Sequence, residues 1–199
     1  MKLAGLRFGL AAWSLAAGLA ASVAPLSAQT HSPAAPLAAL PSLDVPAYVG
    51  TWYQVAWFPN RFQSQCVADT AATYRQLDGG RVEVVNRCRR ADGQIEDITG
   101  VARPAGSVLK GNRLEPAQLE VSFLPAALRW LPIWGRYWVV DLASDGRYAV
   151  VSEPQREYLW VLARAPRLSA DDELAIRSLL TRLGFDLSRW QAHPHSAVP

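Results

Sequence analysis

Gly50-Thr51-Trp52-Tyr53-Gln54-Val55-Ala56-Trp57-Phe58-Pro59 decides the fold. Trp52, Tyr53, Trp57 and Phe58 are aromatic, and Thr51 and Val55 are β-branched. Such residues suit a pleated surface, so residues 51–58 read as a strand. Gly50 permits a tight entry, and Pro59 ends the ladder because it has no N–H to donate. Alternation puts Trp52, Gln54, Ala56 and Phe58 on one face and Tyr53, Val55 and Trp57 on the other. Both faces are largely apolar, so both must be covered. A strand in the wall of a small barrel, packed outside by a helix, meets that condition.

The pattern repeats along the chain. Residues 67–77 and 81–89 alternate around Leu77-Asp78-Gly79-Gly80, a hairpin signal because Asp-Gly and Gly-Gly favour positive φ. That hairpin brings Cys66 and Cys88 together at the end away from its turn, with a bulge or loop absorbing a register mismatch. Further strands read at residues 94–102, 118–124, 136–142, 147–153 and 158–164, with turns at Ala91-Asp92-Gly93 and Ser144-Asp145-Gly146. Residues 103–116 read as a Gly, Pro and Asn loop. Eight short strands joined by turns indicate an all-β barrel or sandwich. Ser169-Ala170-Asp171-Asp172 resembles an N-cap, followed by Leu174, Ile176, Leu179, Leu180 and Leu183 at helical spacing and Gly184 as C-cap. This predicts one helix packed outside the strands. Residues 185–190 read as a short last strand.

The ends read differently. Lys2 and Arg7 precede an uncharged apolar run over residues 8–24 and then small residues, so residues 1–28 are expected to be a secretory signal peptide, with a transmembrane anchor as the alternative. No cysteine stands near the expected cleavage point. Residues 29–44, rich in Ala and Pro, read as a flexible leader, residues 45–190 as the folded domain and residues 191–199 as a tail. The formal charge of +3 falls close to neutral without Lys2 and Arg7, which excludes a strong case for nucleic acid. In an oxidising compartment the two cysteines are expected to pair, and a free reactive thiol is the alternative.

The order of elements resembles the lipocalin family over residues 45–190. Gly50-Thr51-Trp52-Tyr53 resembles the Gly-x-Trp signature of the first strand. Tyr137-Trp138-Val139-Val140-Asp141, with the Asp145-Gly146 turn and Arg147, resembles the second motif, and Arg164 the single arginine of the third. Arg156-Glu157-Tyr158-Leu159-Trp160 and Gly184-Phe185-Asp186 are similar to the bacterial lipocalins, a subgroup that includes outer-membrane lipoproteins. This sequence lacks their lipidated cysteine. The resemblance implies an eight-stranded up-and-down antiparallel barrel with a C-terminal helix outside. It also implies that Trp52 plugs the closed end with Arg164 stacked across it, a structural role.

Parity outward from Trp52 and Arg164 then lines the lumen with Phe58, Tyr74, Ile98, Val121, Phe123, Tyr137, Val139, Val151, Tyr158 and Trp160, with Asn86 and the tyrosine hydroxyls as polar handles. Ala56, Ala72, Gly100, Ala102 and Ala149 on the same face leave room for a ligand rather than a solid core. The expected occupant is an elongated apolar molecule with a small polar head, a fatty acid or lysophospholipid carried in the bacterial envelope. The protein is expected to be exported to the periplasm and associated there with the outer membrane. Residues 124–135, with Trp130 and Trp134, are unusually apolar for a loop and sit by parity at the open mouth. They read as a lid, a dimer contact or a membrane-docking patch, with extra core as the alternative.

Catalysis is not expected. His31, His193 and His195 all fall in the predicted tails, so neither a Ser-His nor a Cys-His pair, nor a histidine-held haem or zinc, can be built in the core. No cofactor is expected. The competing reading is a lipocalin-like enzyme that uses Cys66 or Cys88 as a free thiol on an apolar substrate.

Overall fold

The structure is a computed structural model that describes residues 35–196. The signal segment expected at residues 1–28 lies outside them. In chain order the elements are β1 (Leu43–Asp44), a one-turn helix α1 (Val45–Tyr48), β2 (Gly50–Trp57), β3 (Cys66–Gln76), β4 (Val82–Arg90), β5 (Ile95–Pro104), β6 (Val108–Lys110), β7 (Arg113–Glu115), β8 (Gln118–Ser122), β9 (Gly135–Leu142), β10 (Tyr148–Ser152), β11 (Leu159–Ala163), α2 (Ala170–Arg182) and β12 (Gln191–Ala192).

Strands β2, β3, β4, β5, β8, β9, β10 and β11 pair antiparallel with their neighbours in that order, and β11 returns to β2 to close an eight-stranded barrel. Closure removes the exposed sheet edges that a half-apolar strand such as β2 would otherwise present. Two apolar layers follow from the alternation. Trp52, Tyr74, Val84, Ala102, Val139, Ala149 and Val151 pack inside the barrel. Val55, Phe58, Val140, Val150, Val161 and Ala163 pack outside it, beneath Ile176 and Leu180 of α2.

Helix α2 begins where the Ser169 hydroxyl accepts the Asp172 N–H. It ends at Gly184, whose φ of +78° suits a residue without Cβ. Arg147, in the β9–β10 turn, donates a bidentate pair to the Asp172 carboxylate and pins the first turn of the helix to the barrel. Leu174 was expected in the buried stripe but is exposed; Ile176 and Leu180 carry the contact.

Three expectations are corrected. Residues 35–44 are not a loose leader. Leu37 and Leu43 are buried, the Leu40 N–H donates to the Val139 carbonyl, and β1 pairs with β7. The loop expected at 103–116 carries the β6–β7 hairpin, which with β1 forms a small sheet under the closed end. The tail is also built in. Residues 187–189 form a 3-10 turn rather than a strand, and β12 pairs with β2 at Trp57 and Ala56. Strand β2 pairs with β3 only from Gly50 to Tyr53; above that, β3 diverges. The C-terminal segment fills the gap: the His193 N–H donates to the Val55 carbonyl and the Asp69 N–H to the Pro194 carbonyl.

The divergence has a local cause. The β3–β4 register shifts twice between Cys66 and Ala71, and Asp69 lies between those points with φ +55°. These bulges absorb the mismatch between the hairpin turn and the Cys66–Cys88 disulfide, which spans Cα atoms 5.5 Å apart.

Candidate functional site

The closed end of the barrel is built from the Gly-x-Trp strand. Trp52 is fully buried and its indole N–H donates to the Tyr48 carbonyl at 2.8 Å. The Arg164 guanidinium lies 3.7 Å over the Trp52 ring. The same group donates to the carbonyls of Thr51, Ala47 and Val49, which α1 and the entry to β2 turn inward. Gly50 makes room: a Cβ there would stand 3.3 Å from Arg164 Nη1, at a φ of +94°. The stack and the three hydrogen bonds tie the floor to the end of β11.

Above this floor lies a cavity of about 870 Å³, of the size that holds one small organic ligand. Its walls are mostly aliphatic and aromatic. Of the residues expected to line it, Tyr74, Asn86, Ile98, Val121, Phe123, Tyr137, Tyr158 and Trp160 do so. Phe58, Val139 and Val151 do not. Val139 and Val151 are fully buried in the inner core. Phe58 points outward against Phe185 under α2, and Ala56 joins the same outer layer. The reason is a bulge. Leu162 pairs with Gln54 but the next residue of β11, Val161, pairs with Ala56, so Val55 is the extra residue and alternation beyond it is inverted.

Two polar clusters interrupt the apolar lining. At depth, the Tyr137 hydroxyl lies 2.8 Å from that of Tyr48 and 3.0 Å from that of Tyr74. Burial raises the pKa of all three, Tyr74 to about 12, so they remain neutral hydroxyls. Higher up, the Trp160 indole N–H donates to Gln63 Oε1 at 2.8 Å and Gln63 Nε2 donates to Gln54 Oε1 at 2.9 Å. Parity placed Gln54 on the inner face; the partner from the loop after β2 had no sequence signal.

The β8–β9 loop stands at the mouth. Trp130 is 78% exposed, with Leu128 and Ile133 exposed beside it. Trp134 behaves differently. It lines the cavity, stacks under the Arg103 guanidinium at 3.8 Å and donates its N–H to the Arg129 carbonyl. One tryptophan is therefore wall and the other is rim. Arg61, Arg87 and Arg136 also border the cavity, together with Glu96, Glu153 and Glu157, so its charged rim is mixed in sign.

The histidine inventory is corrected in part. His193 is buried against the barrel exterior, edge-on to Trp57 at 5.8 Å, and its Nε2 accepts the Thr70 N–H. His195 lies beside it, with its ring edge-on to Tyr53. Neither lines the cavity. Both cysteines are consumed by the disulfide, so the free-thiol reading loses its sulfur.

A family model described as a lipocalin-like domain matches residues 43–195. The chain belongs to the lipocalin family. This lipocalin is 33% identical over 182 residues to the outer membrane lipoprotein Blc of Escherichia coli strain K12, covering 89% of this chain and 96% of that one. It is 32% identical over 158 residues to temperature-induced lipocalin-1 of Arabidopsis thaliana, covering 79% and 82%. Among solved structures, insecticyanin from the tobacco hornworm Manduca sexta aligns with a TM-score of 0.64 at 18% identity, covering 83% of this lipocalin and 87% of the other chain; that likeness is one of fold.

Proposed function

We propose that this lipocalin binds and carries a single-chain lipid, a fatty acid or a lysophospholipid, in the bacterial cell envelope after export. The observation that carries the reading is the cavity: about 870 Å³, sealed below by Trp52 and Arg164, walled by apolar side chains and bordered at its mouth by Arg61 and Arg136. An acyl chain fits the wall, and a polar or zwitterionic head finds arginines and glutamates together at the rim. The similarity to an outer membrane lipoprotein supports an envelope location. The Trp130 rim, apolar and exposed, suits transient contact with a membrane surface during transfer.

The reading makes the protein a carrier rather than an enzyme. The test is mass spectrometry of lipids extracted from protein purified out of its native envelope. Single-chain lipids at a stoichiometry near one are expected; a protein that emerges empty and fails to take up palmitate or lysophosphatidylcholine overturns the reading. Trp130→Ser should slow transfer from vesicles without changing affinity in solution, whereas a loss of self-association instead would assign the rim to a dimer.

A further inference from the structure

The polar cluster on the cavity wall has a direction, and it is set by tryptophan. An indole N–H can only donate. Trp160 therefore fixes Gln63 Oε1 as the acceptor, and the Asn60 side-chain amide donates to the same oxygen. That orientation turns Gln63 Nε2 toward Gln54 and makes Gln54 Oε1 the acceptor in turn. Rotating either amide by 180° would place two donors or two acceptors face to face. The relay ends on the Gln54 amide NH₂, which has no hydrogen-bond partner although Gln54 is 2% exposed.

A second orphan stands beside it. Thr70 Oγ1 is likewise buried without a partner. Tyr53 pairs with Ala71, so Gln54 and Thr70 occupy the next positions up on adjacent strands, where β3 parts from β2. Both residues line the cavity. Among the described residues these are the only two buried side-chain polar atoms left unsatisfied. A buried polar group without a partner costs about 1–3 kcal/mol, so a pair of them facing one hollow points to what fills it.

We propose that Gln54 and Thr70 form a subsite for the acyl carbonyl oxygen of the bound lipid. This rests on the carrier reading above and deepens it. The Gln54 amide donates to the carbonyl, and the Thr70 hydroxyl donates a second bond to the same oxygen. The alkyl chain runs from there along the apolar wall, and the head extends toward Arg61 and Arg136 at the mouth. The chemistry selected is an acyl carbonyl: in a lysophospholipid the ester, with the head beyond it, and in a fatty acid the carboxylate itself, which then has no group at the mouth.

The discriminating probes are 1-palmitoyl-lysophosphatidylcholine and its 1-O-hexadecyl ether analogue, which share head and chain length and differ in the carbonyl. Isothermal titration below the critical micelle concentration should show the ester bound about five- to tenfold more tightly by the wild type, the value of one or two neutral hydrogen bonds. Gln54→Met should bring that ratio close to one, and Thr70→Val should reduce it. A parallel titration with palmitate separates the sources: a comparable loss of palmitate affinity in Gln54→Met assigns the subsite to carboxylates as well, and unchanged palmitate affinity confines it to esters. Equal binding of ester and ether by the wild type, or an ester preference that survives Gln54→Met, overturns the subsite while leaving the carrier reading intact. No binding of any of the three lipids by the wild type overturns both.

Discussion

Lowering the pH should loosen the C-terminal clamp through a single imidazole. His193 is buried, and desolvation together with the neighbouring His195 depresses its pKa from the ordinary 6.5 to about 4, against the opposing pull of Asp69 and a hydrogen bond to the Ala68 backbone. Its Nε2 accepts the Thr70 N–H, so a proton on that nitrogen would set a donor against a donor. The folded protein thus resists a proton that the unfolded chain accepts readily. The contribution is fully present above pH 6.5 and is lost as the pH falls toward 4. With each tenfold in proton affinity worth about 1.4 kcal/mol, the loss between pH 7 and pH 4 is about 3 kcal/mol. Asp69, which accepts from Arg89 and from Ser196, does not confuse the window: its pKa is held down to about 2, so its stabilisation is lost only below 3.8. The comparison is with His193→Gln, whose amide can accept from Thr70 and donate to Ala68 without titrating. Urea unfolding of both proteins at pH 7, 5.5 and 4 should show the wild type losing about 3 kcal/mol more than the variant, since other groups cancel in the difference. Parallel losses would refute the argument and place the imidazole in water.

Other outcomes follow from the geometry described above. Arg164→Ala removes the stack on Trp52 and strands the carbonyls of Thr51, Ala47 and Val49, so urea unfolding should show a loss of about 3–4 kcal/mol, with Arg164→Lys recovering less than half because an ammonium cannot span the three acceptors. Gly100→Ala would place a methyl 2.6 Å from Phe123 Cδ1 and 2.7 Å from the Ser122 carbonyl, and a melting experiment should register about 1–3 kcal/mol of overpacking. Reducing the disulfide reopens a loop of sequence separation 22 and should cost about 3 kcal/mol in equilibrium unfolding. Tyr137→Phe separates the Tyr48 and Tyr74 hydroxyls from their shared partner; a loss of about 2–4 kcal/mol is expected if the floor stays dry, and a calorimetric change under 1 kcal/mol would show that water reaches it.

Where the chain alternates cleanly, the sequence was sufficient. The β3–β4 and β10–β11 hairpins, the Ser169 cap and the Trp52–Arg164 pair could be read because each rests on local chemistry or on a motif of known spacing. The failures share a different origin. Strand parity puts Phe58 and Ala56 inward because it carries no warning of a bulge; the extra residue at Val55 turns both to the outer layer. Leu37, Leu40 and Leu43 sit among alanines and prolines, and no periodicity marks a segment held by scattered contacts, with Leu37 in the outer layer and Leu43 paired with β7. Gln191 to Ser196 looked like a tail because two paired residues and a few backbone hydrogen bonds to distant strands leave no pattern in composition. The Trp160–Gln63–Gln54 relay is hidden because Gln63 lies in a loop without alternation and meets Trp160 across 97 residues of sequence.

The segment that fills the gap between β2 and β3 is also the continuation of α2. The helix lies on the barrel through Ile176 and Leu180, turns at Leu187–Arg189, and at once becomes part of the wall, where the Asp69 amide reaches back to Pro194. Helix and wall therefore work as latch and bolt on one short tether. Any displacement of the helix would pull first on residues 191–194, the stretch that completes the wall beside Gln54 and Thr70.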